Sequence, residues 1–549
     1  MFRRRLAGFS CSSLLLLGQL AHAEPSVTPA PATPATTPLP PAPAAPPNYL
    51  GNVSYTPPAF ISEPTVLPPQ AATGPSWRLS KSDVIQAVLR NNLGIQLERE
   101  NVRAGQFSEQ ASGGAFEPNI TASYRHRDAD YPPSNTQEGQ AGEIINSIDN
   151  TWNVAGSKQF QTGTQTTLSL NNDWARSSQG NAISPDLFRT SADLTLTQPL
   201  LRGFSTDGDI QTAPILRAHF ASERALAQAQ LRAASAVLTA ENAYWDLTEA
   251  LKSYQVRVRS WELASEQLKL TERQIQAGVL PPSDLINAEG TLARRELALL
   301  EAEGNIEQSA DRLKQIMNLP DPEWKKAFLT LDAPRFVALR PDVPKLIAEA
   351  QARRPEVSQT NLDLRQATLD QRVADNAKLP DLSASVSYGL IGQDASYSGS
   401  LAELGQARGR YWSTLVRLNW SPLNEQRRAE AERASITRRR TNVEKNQLLL
   451  NIRVEVRQAA RALETAEKQL YAAANSRSLS EQSLSAEERK FQNGLSNNFF
   501  VSQRQDELAQ AQLAELSALI RHEKARADLQ LATGDLLQQR NVRLDLSAR

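Results

Sequence analysis

The chain of 549 residues is long enough for several domains or one elongated body, and its 60 basic and 60 acidic side chains cancel. That balance sets up no field for polyanions, so no nucleic-acid partner is expected. Only 6% of the residues are aromatic, while Ala, Leu, Gln, Glu and Arg fill the later parts, a composition of long helices.

The first 23 residues read as an export signal. Arg3 to Arg5 form a basic region, "LLLLGQLA" an apolar stretch, and "AHA" ending at Ala23 a small-residue cleavage site. Cys11 precedes the apolar core behind a poor lipobox, so lipidation is not expected, and cleavage removes the only cysteine. After the signal no run of 18 apolar residues occurs, which excludes a helical anchor but leaves soluble, secreted and β-barrel outcomes open. Residues 24–76 hold half of the 32 prolines and are expected to be a disordered linker with polyproline II character. It reads as a spacer, or as a tether to a periplasmic partner or the cell wall.

A first repeat is expected over 77–318, a link over 319–342, a second repeat over 343–535 and a tail over 536–549. "SKSD" at Ser80 to Asp83 has the pattern of a capping box and opens a helix, which "ASGGAFEP" stops. The period then changes from 3.6 to 2. "NITASYRHR", "NTWNVAGSKQF", "TTLSLNNDW", "SADLTLTQPL", "DLSASVSYGL" and "RYWSTLVRLNW" each alternate an apolar with a polar face over the length of a tilted membrane strand. A soluble β-sandwich has the same alternation. Long polar loops (128–149, 175–190, 392–409) against the tight "QTGT" turn match the asymmetry of outer-membrane barrels. The strand groups are short and far apart, so pairing between chains is expected.

Helices of coiled-coil type follow each strand group. Leu247, Tyr254, Trp261, Leu268 and Ile275 recur by sevens, and after a break so do Leu285, Leu292, Leu299, Ile306 and Leu313. A helix from about Thr212 to Ala277 would be about 100 Å long. The break, "RQIQAGVLPPSDLINAE", recurs 216 residues later as "RKFQNGLSNNFFVSQRQ". Gly278 is free to adopt positive φ, the prolines after it cannot continue a helix, and Ser283 or Asp284 is expected to cap the returning one. Asn493-Gly494 and Asn497-Asn498 turn the second copy. The two turns are expected side by side at the far end of the helices.

The signal, "AFEPNITASY" and "KLPDLSASVSY", "LTQPLLRGF", "NAYWDLTEAL" and the paired turns, in this order and in duplicate, resemble the TolC-type outer-membrane efflux family over residues 77–535. The resemblance implies a mainly α fold with membrane β: two tandem repeats of long coiled-coil hairpins, plus strands contributing to a trimeric transmembrane β-barrel. It implies a homotrimer in outer-membrane lipid whose tips meet a periplasmic adaptor that belongs to an inner-membrane pump. Family members usually contribute four strands; six are present here. Ala277, Gly278, Val279, Asn493, Gly494 and Leu495 then form the adaptor-contact tips, or serve turn geometry alone. Some members place aspartates in the second tip, where Phe500 and Gln503 stand here. Gate candidates are Phe499, Phe500, Gln503 and Asp284. The Phe pair either closes a pore across the threefold axis or packs between hairpins; Asp284 either caps a helix or pairs with Arg489 or Arg504.

No HExxH, P-loop, GxGxxG or nucleophile elbow occurs, and the four histidines have no metal-ligand spacing, so neither an enzyme, a cofactor nor a metal is expected. The alternative is a periplasmic coiled-coil adaptor or scaffold without a barrel.

Overall fold

The structure, a computed structural model, describes Tyr55, residues 57–62, 75–134, Gln140 and residues 142–177 and 186–542. The expected signal peptide, most of the expected linker and the last residues of the tail lie outside the described residues. In chain order come α1 (Ala59–Ser62), β1 (Ser76–Leu79), α2 (Lys81–Asn91) and α3 (Leu93–Gly113). Four strands follow: β2 (Asn119–Tyr131), β3 (Ile145–Gln159), β4 (Gln165–Ser177) and β5 (Asp186–Pro199). A helical hairpin is made by α4 (Ala213–Gln276) and α5 (Ser283–Met317). Then come α6 (Asp321–Trp324), β6 (Ala327–Thr330), α7 (Val343–Arg353), α8 (Pro355–Ala377), β7 (Asp381–Asp394), α9 (Tyr397–Gly405) and β8 (Gly409–Asn419). The second hairpin is α10 (Glu425–Gln492) and α11 (Asn498–Thr533), with α12 (Leu536–Gln539) after it.

The expected capping box forms. The Ser80 hydroxyl accepts from the Asp83 N–H (3.2 Å), and the Asp83 carboxylate accepts from the Ser80 N–H (3.0 Å). The heptad stripe of α4 is the core. Val237, Ala240, Tyr244, Leu247 and Leu251 are fully buried, whereas Trp261, Leu268 and Ile275, nearer the turn, are only half-buried. A small belt of structure packs against this core near Tyr244, with Ile61, Leu79 and Phe328 in the same cluster. β1 pairs in parallel with β6, and the Tyr244 hydroxyl donates to the Asp332 carboxylate (2.9 Å) just beyond β6.

This belt corrects the linker expectation. Tyr55 and Ile61 fall within 24–76, yet Ile61 is fully buried and the Tyr55 hydroxyl donates to Glu515 (3.1 Å). The Tyr55 ring also meets Phe336 edge-to-face. Isolated apolar residues among prolines find a core made elsewhere in the chain. The tail likewise begins docked: Leu536 is buried, and Arg540 pairs with the buried Glu241 (2.9 Å).

The six strands form one antiparallel sheet in the order β2-β3-β4-β5-β7-β8. This corrects the expectation that the groups find little to pair with in one chain: β5 joins β7, with Leu194 opposite Tyr388. The additional hairpin β3-β4 lies inside the sheet. The strands run 11 to 15 residues, longer than their sequence signals, because pairing extends beyond the apolar alternation into polar segments. One face carries Ile120, Val154, Leu168, Leu194, Val386 and Trp412, all exposed. The other is polar and cross-linked; Tyr411 donates to Asp193 (2.6 Å), and the Thr195 and Ser387 hydroxyls are 3.0 Å apart. The supposed long loop 392–409 instead contains α9. It covers a polar patch on the same side of the sheet, where Asn172 donates to Thr190 (2.8 Å) and Thr190 meets the Ser400 hydroxyl (2.9 Å). A Cβ on Gly392 would collide with the Ser400 carbonyl, so glycine is what lets α9 lie this close.

Candidate functional site

The two hairpin turns are the same backbone device. After α4, Gly278 has φ +72°, its N–H donates to the Ile275 carbonyl (2.9 Å), and the Val279 N–H reaches back to Gln274 (2.8 Å). After α10, Gly494 has φ +71°, its N–H donates to Phe491 (3.0 Å), and the Leu495 N–H reaches back to Lys490 (2.9 Å). This is the Schellman pattern, which satisfies the last carbonyls of a helix by means of one left-handed residue. At both glycines an added Cβ would meet open space. Val279 is 68% and Leu495 79% exposed, and Ala277 and Asn493 are exposed beside them. All six expected tip residues therefore occupy the outer surface of the turns.

The returning helices start differently. Asn497 caps α11, its side-chain oxygen accepting from the Phe500 N–H (3.2 Å). For α5 the capping expectation fails. Pro282 is the cap residue and makes no side-chain bond, while Ser283 and Asp284 already lie inside the first turn. Proline fixes the φ that a helix start needs, which leaves Asp284 to complement the helix dipole. The expected partners of Asp284 are engaged within the chain: Arg489 donates to Ser485 (3.0 Å), and Arg504 pairs with Glu507.

Phe499 and Phe500 pack edge-to-face, with centroids 5.7 Å apart, yet stay 67% and 46% exposed. Gln503, one turn on, is exposed and donates to Glu507 (3.3 Å).

Sequence reasoning missed the contacts that bind the tips together. Asn498 donates its side-chain amide to the Thr271 hydroxyl (3.0 Å), and Arg295 of α5 reaches Asp506 of α11 (2.7 Å) as well as Ser260 of α4. Arg295 is buried apart from this triad, and burial holds its pKa below the usual guanidinium range while Asp506 opposes that shift. Neither pair has a sequence signal, since each joins one repeat to the other.

Residues 155–319 and 346–535 match the profile of the outer membrane efflux protein family, and each matched stretch contains one of the two hairpins. The chain belongs to this family. It is accordingly an outer-membrane channel protein with a periplasmic helical part, and the adaptor or scaffold alternative is not favoured. Its fold is that of solved efflux channels. The Campylobacter jejuni CmeC outer membrane channel aligns at 15% identity and a TM-score of 0.60, over 83% of this chain and 86% of that one. The outer-membrane channel OprN aligns at 17% and 0.61, over 88% and 98%. The open state of the Neisseria gonorrhoeae MtrE channel aligns at 16% and 0.59, over 85% and 91%. Sequence comparison with curated proteins finds no match.

Proposed function

We propose that three copies of this efflux protein assemble into one passive conduit. Their sheets join into a barrel in outer-membrane lipid, their helices line a tunnel into the periplasm, and their tips receive a periplasmic adaptor that belongs to an inner-membrane pump. The observation that carries this reading is the sheet, which exposes a continuous apolar face yet leaves β2 and β8 as unpaired outer strands. A membrane tolerates β-structure only when every edge is closed, and six strands here do not close on themselves. Further copies supply the missing pairing. The half-buried tip sections of α4 and α5 support the same conclusion, because their heptads have apolar surface left over for a neighbour.

The chain has no energy source in this scheme; it supplies a path and a gate. Ala277, Gly278, Val279, Asn493, Gly494 and Leu495 form the docking surface, and Phe500, with Phe499 and Gln503 beside it, narrows the closed tunnel. Asp284 acts on its own helix end. Adaptor contact shifts the population between two packings of the tip hairpins. The assembly is tested by native mass spectrometry of protein extracted from outer membranes in mild detergent. Three chains per particle are expected; a stable single chain overturns the reading.

A further inference from the structure

We propose that β2 of one copy pairs with β8 of the next in one register, with Asp128 opposite Arg410 and Asp130 opposite Arg408, so that two ion pairs fix each seam of the barrel. The proposal rests on the trimeric reading above and goes beyond it by specifying the contact.

Geometry allows few registers. With six antiparallel strands, β2 and β8 run in opposite directions, so the seam is antiparallel like every other pair in the sheet. The apolar face must stay continuous, and a slip of one residue would turn every side chain of the next copy over. Slips therefore come in steps of two. The overlapping choices place Ile120 opposite Val416, Leu418 or Trp420.

Charge separates them. Asp128, Asp130, Arg408 and Arg410 are all exposed, and none has an ion pair among the described residues. Asn146 donates to both carboxylates (2.9 and 3.0 Å), which holds them on one face. With Ile120 opposite Leu418, Ala122 meets Val416 and both aspartates meet arginines. With Val416 instead, Asp128 faces Arg408, but Arg410 faces His126 and Asp130 has no cation, so one pair is lost. With Trp420, Asp128 faces the Trp412 indole.

Strand tilt gives an independent reading. Within one copy the ladder passes from Ile120 through Gly156, Leu168, Leu194 and Tyr388 to Trp412. The Leu418 register hands Trp412 on to His126 of the next copy, about six residues along β2 from Ile120, so the shear of three copies equals their strand number. That ratio corresponds to a tilt of about 35°. The Val416 register gives about 25°, below the roughly 35–45° of outer-membrane barrels. The Trp420 register gives about 43°, which the range allows, but it keeps only one Asp–Arg pair, Asp130 with Arg410, and sets Asp128 against an indole. Only the Leu418 register meets both conditions.

The test is disulfide trapping in outer membranes with Cys11 replaced by serine. Ser123→Cys is combined with Ser413→Cys, Leu415→Cys or Arg417→Cys, which are the residues opposite Ser123 in the three registers. Directly opposed residues lie within disulfide reach and those displaced by two do not. The Leu415 pair is expected to give dimer and trimer bands on non-reducing gels at several times the yield of either alternative. Equal or greater yield from the Ser413 or Arg417 pair overturns the register. No bands from any pair, in particles that native mass spectrometry shows to be trimers, overturns the paired seam but leaves the trimer standing. A monomeric mass for the parent chain overturns both. As a second arm, Asp128→Arg is expected to lower the temperature at which trimers dissociate in detergent, and Asp128→Arg with Arg410→Asp to restore most of it. A double variant no better than the single one overturns the ion pairs.

Discussion

Asn498, the first residue of α11, donates its side-chain amide to the hydroxyl of Thr271, 3.0 Å away near the end of α4. Thr271 is fully buried, and its hydroxyl also donates to the Gln267 carbonyl (2.9 Å). The two tips of one chain are thereby tied about two helical turns before Gly278 and one turn after Gly494, so any opening that separates the hairpins must break this bond.

Thr271→Val keeps the shape and removes the acceptor. The half-buried Asn498 amide then loses this partner, at a cost of about 1–1.5 kcal/mol. Hydrogen–deuterium exchange is expected to speed up about tenfold in both turns while the belt around Tyr244 stays protected. Unchanged exchange in the Gly494 turn would show that the bond does not couple the tips.

Glycine substitutions separate turn geometry from docking. At Gly278 and Gly494 a Cβ meets open space, so alanine adds only the strain of a left-handed residue, about 1 kcal/mol. Aspartate adds a charge to the exposed docking surface as well. Gly278→Ala with Gly494→Ala is expected to keep most efflux in cells lacking the native gene, and the double aspartate variant to lose it with trimers intact. Equal loss in both variants would assign the glycines to geometry alone.

Acid sensitivity has an identifiable source at His522. Its ring lies 5.0 Å from the Phe336 ring, both its nitrogens lack partners, and burial, with Arg526 nearby, brings its pKa from 6.5 down to about 4. Between those values the unfolded chain takes up a proton that the folded chain refuses. The site's contribution to stability is therefore full above about pH 6.5 and declines as pH falls towards 4. Buried Glu515 and Glu523 act in the opposite sense, since burial raises their pKa values and the folded chain gains protons first. Comparing the parent with His522→Leu isolates the histidine. Between pH 7 and 4.5 the parent's melting temperature should fall by several degrees more than the variant's; parallel curves would remove His522 as the cause.

Local patterns in the sequence were sufficient wherever one element decides its own shape. The Ser80 box, both glycine turns, the heptads around Leu247 and the alternating strands all appear where residue spacing puts them. What could not be read depends on distant partners. Tyr55 is docked by Glu515, 460 positions away, and α9 by Thr190, 210 positions before Ser400. A nine-residue helix containing two glycines carries a loop-like signal of its own. At the tips, Arg295 and Asp506 are ordinary surface residues by sequence, and the contact between repeats that pairs them leaves no periodic trace. Asp284 misled for a different reason: an acidic residue after a turn is common both as a cap and in a first turn, and Pro282 took the cap.

The proposed conduit is held closed by its tips. It is tested most directly by current through planar bilayers containing the purified trimers, with Phe500→Ala beside the parent. The exposed Phe499–Phe500 pair predicts an apolar constriction, whose closure is insensitive to salt, unlike closure by ion pairs. Small ohmic steps are expected from the parent and larger resting steps from Phe500→Ala, with the same ratio at low and high ionic strength. Trimers that give no steps, or Phe500→Ala steps equal to the parent's, would contradict it.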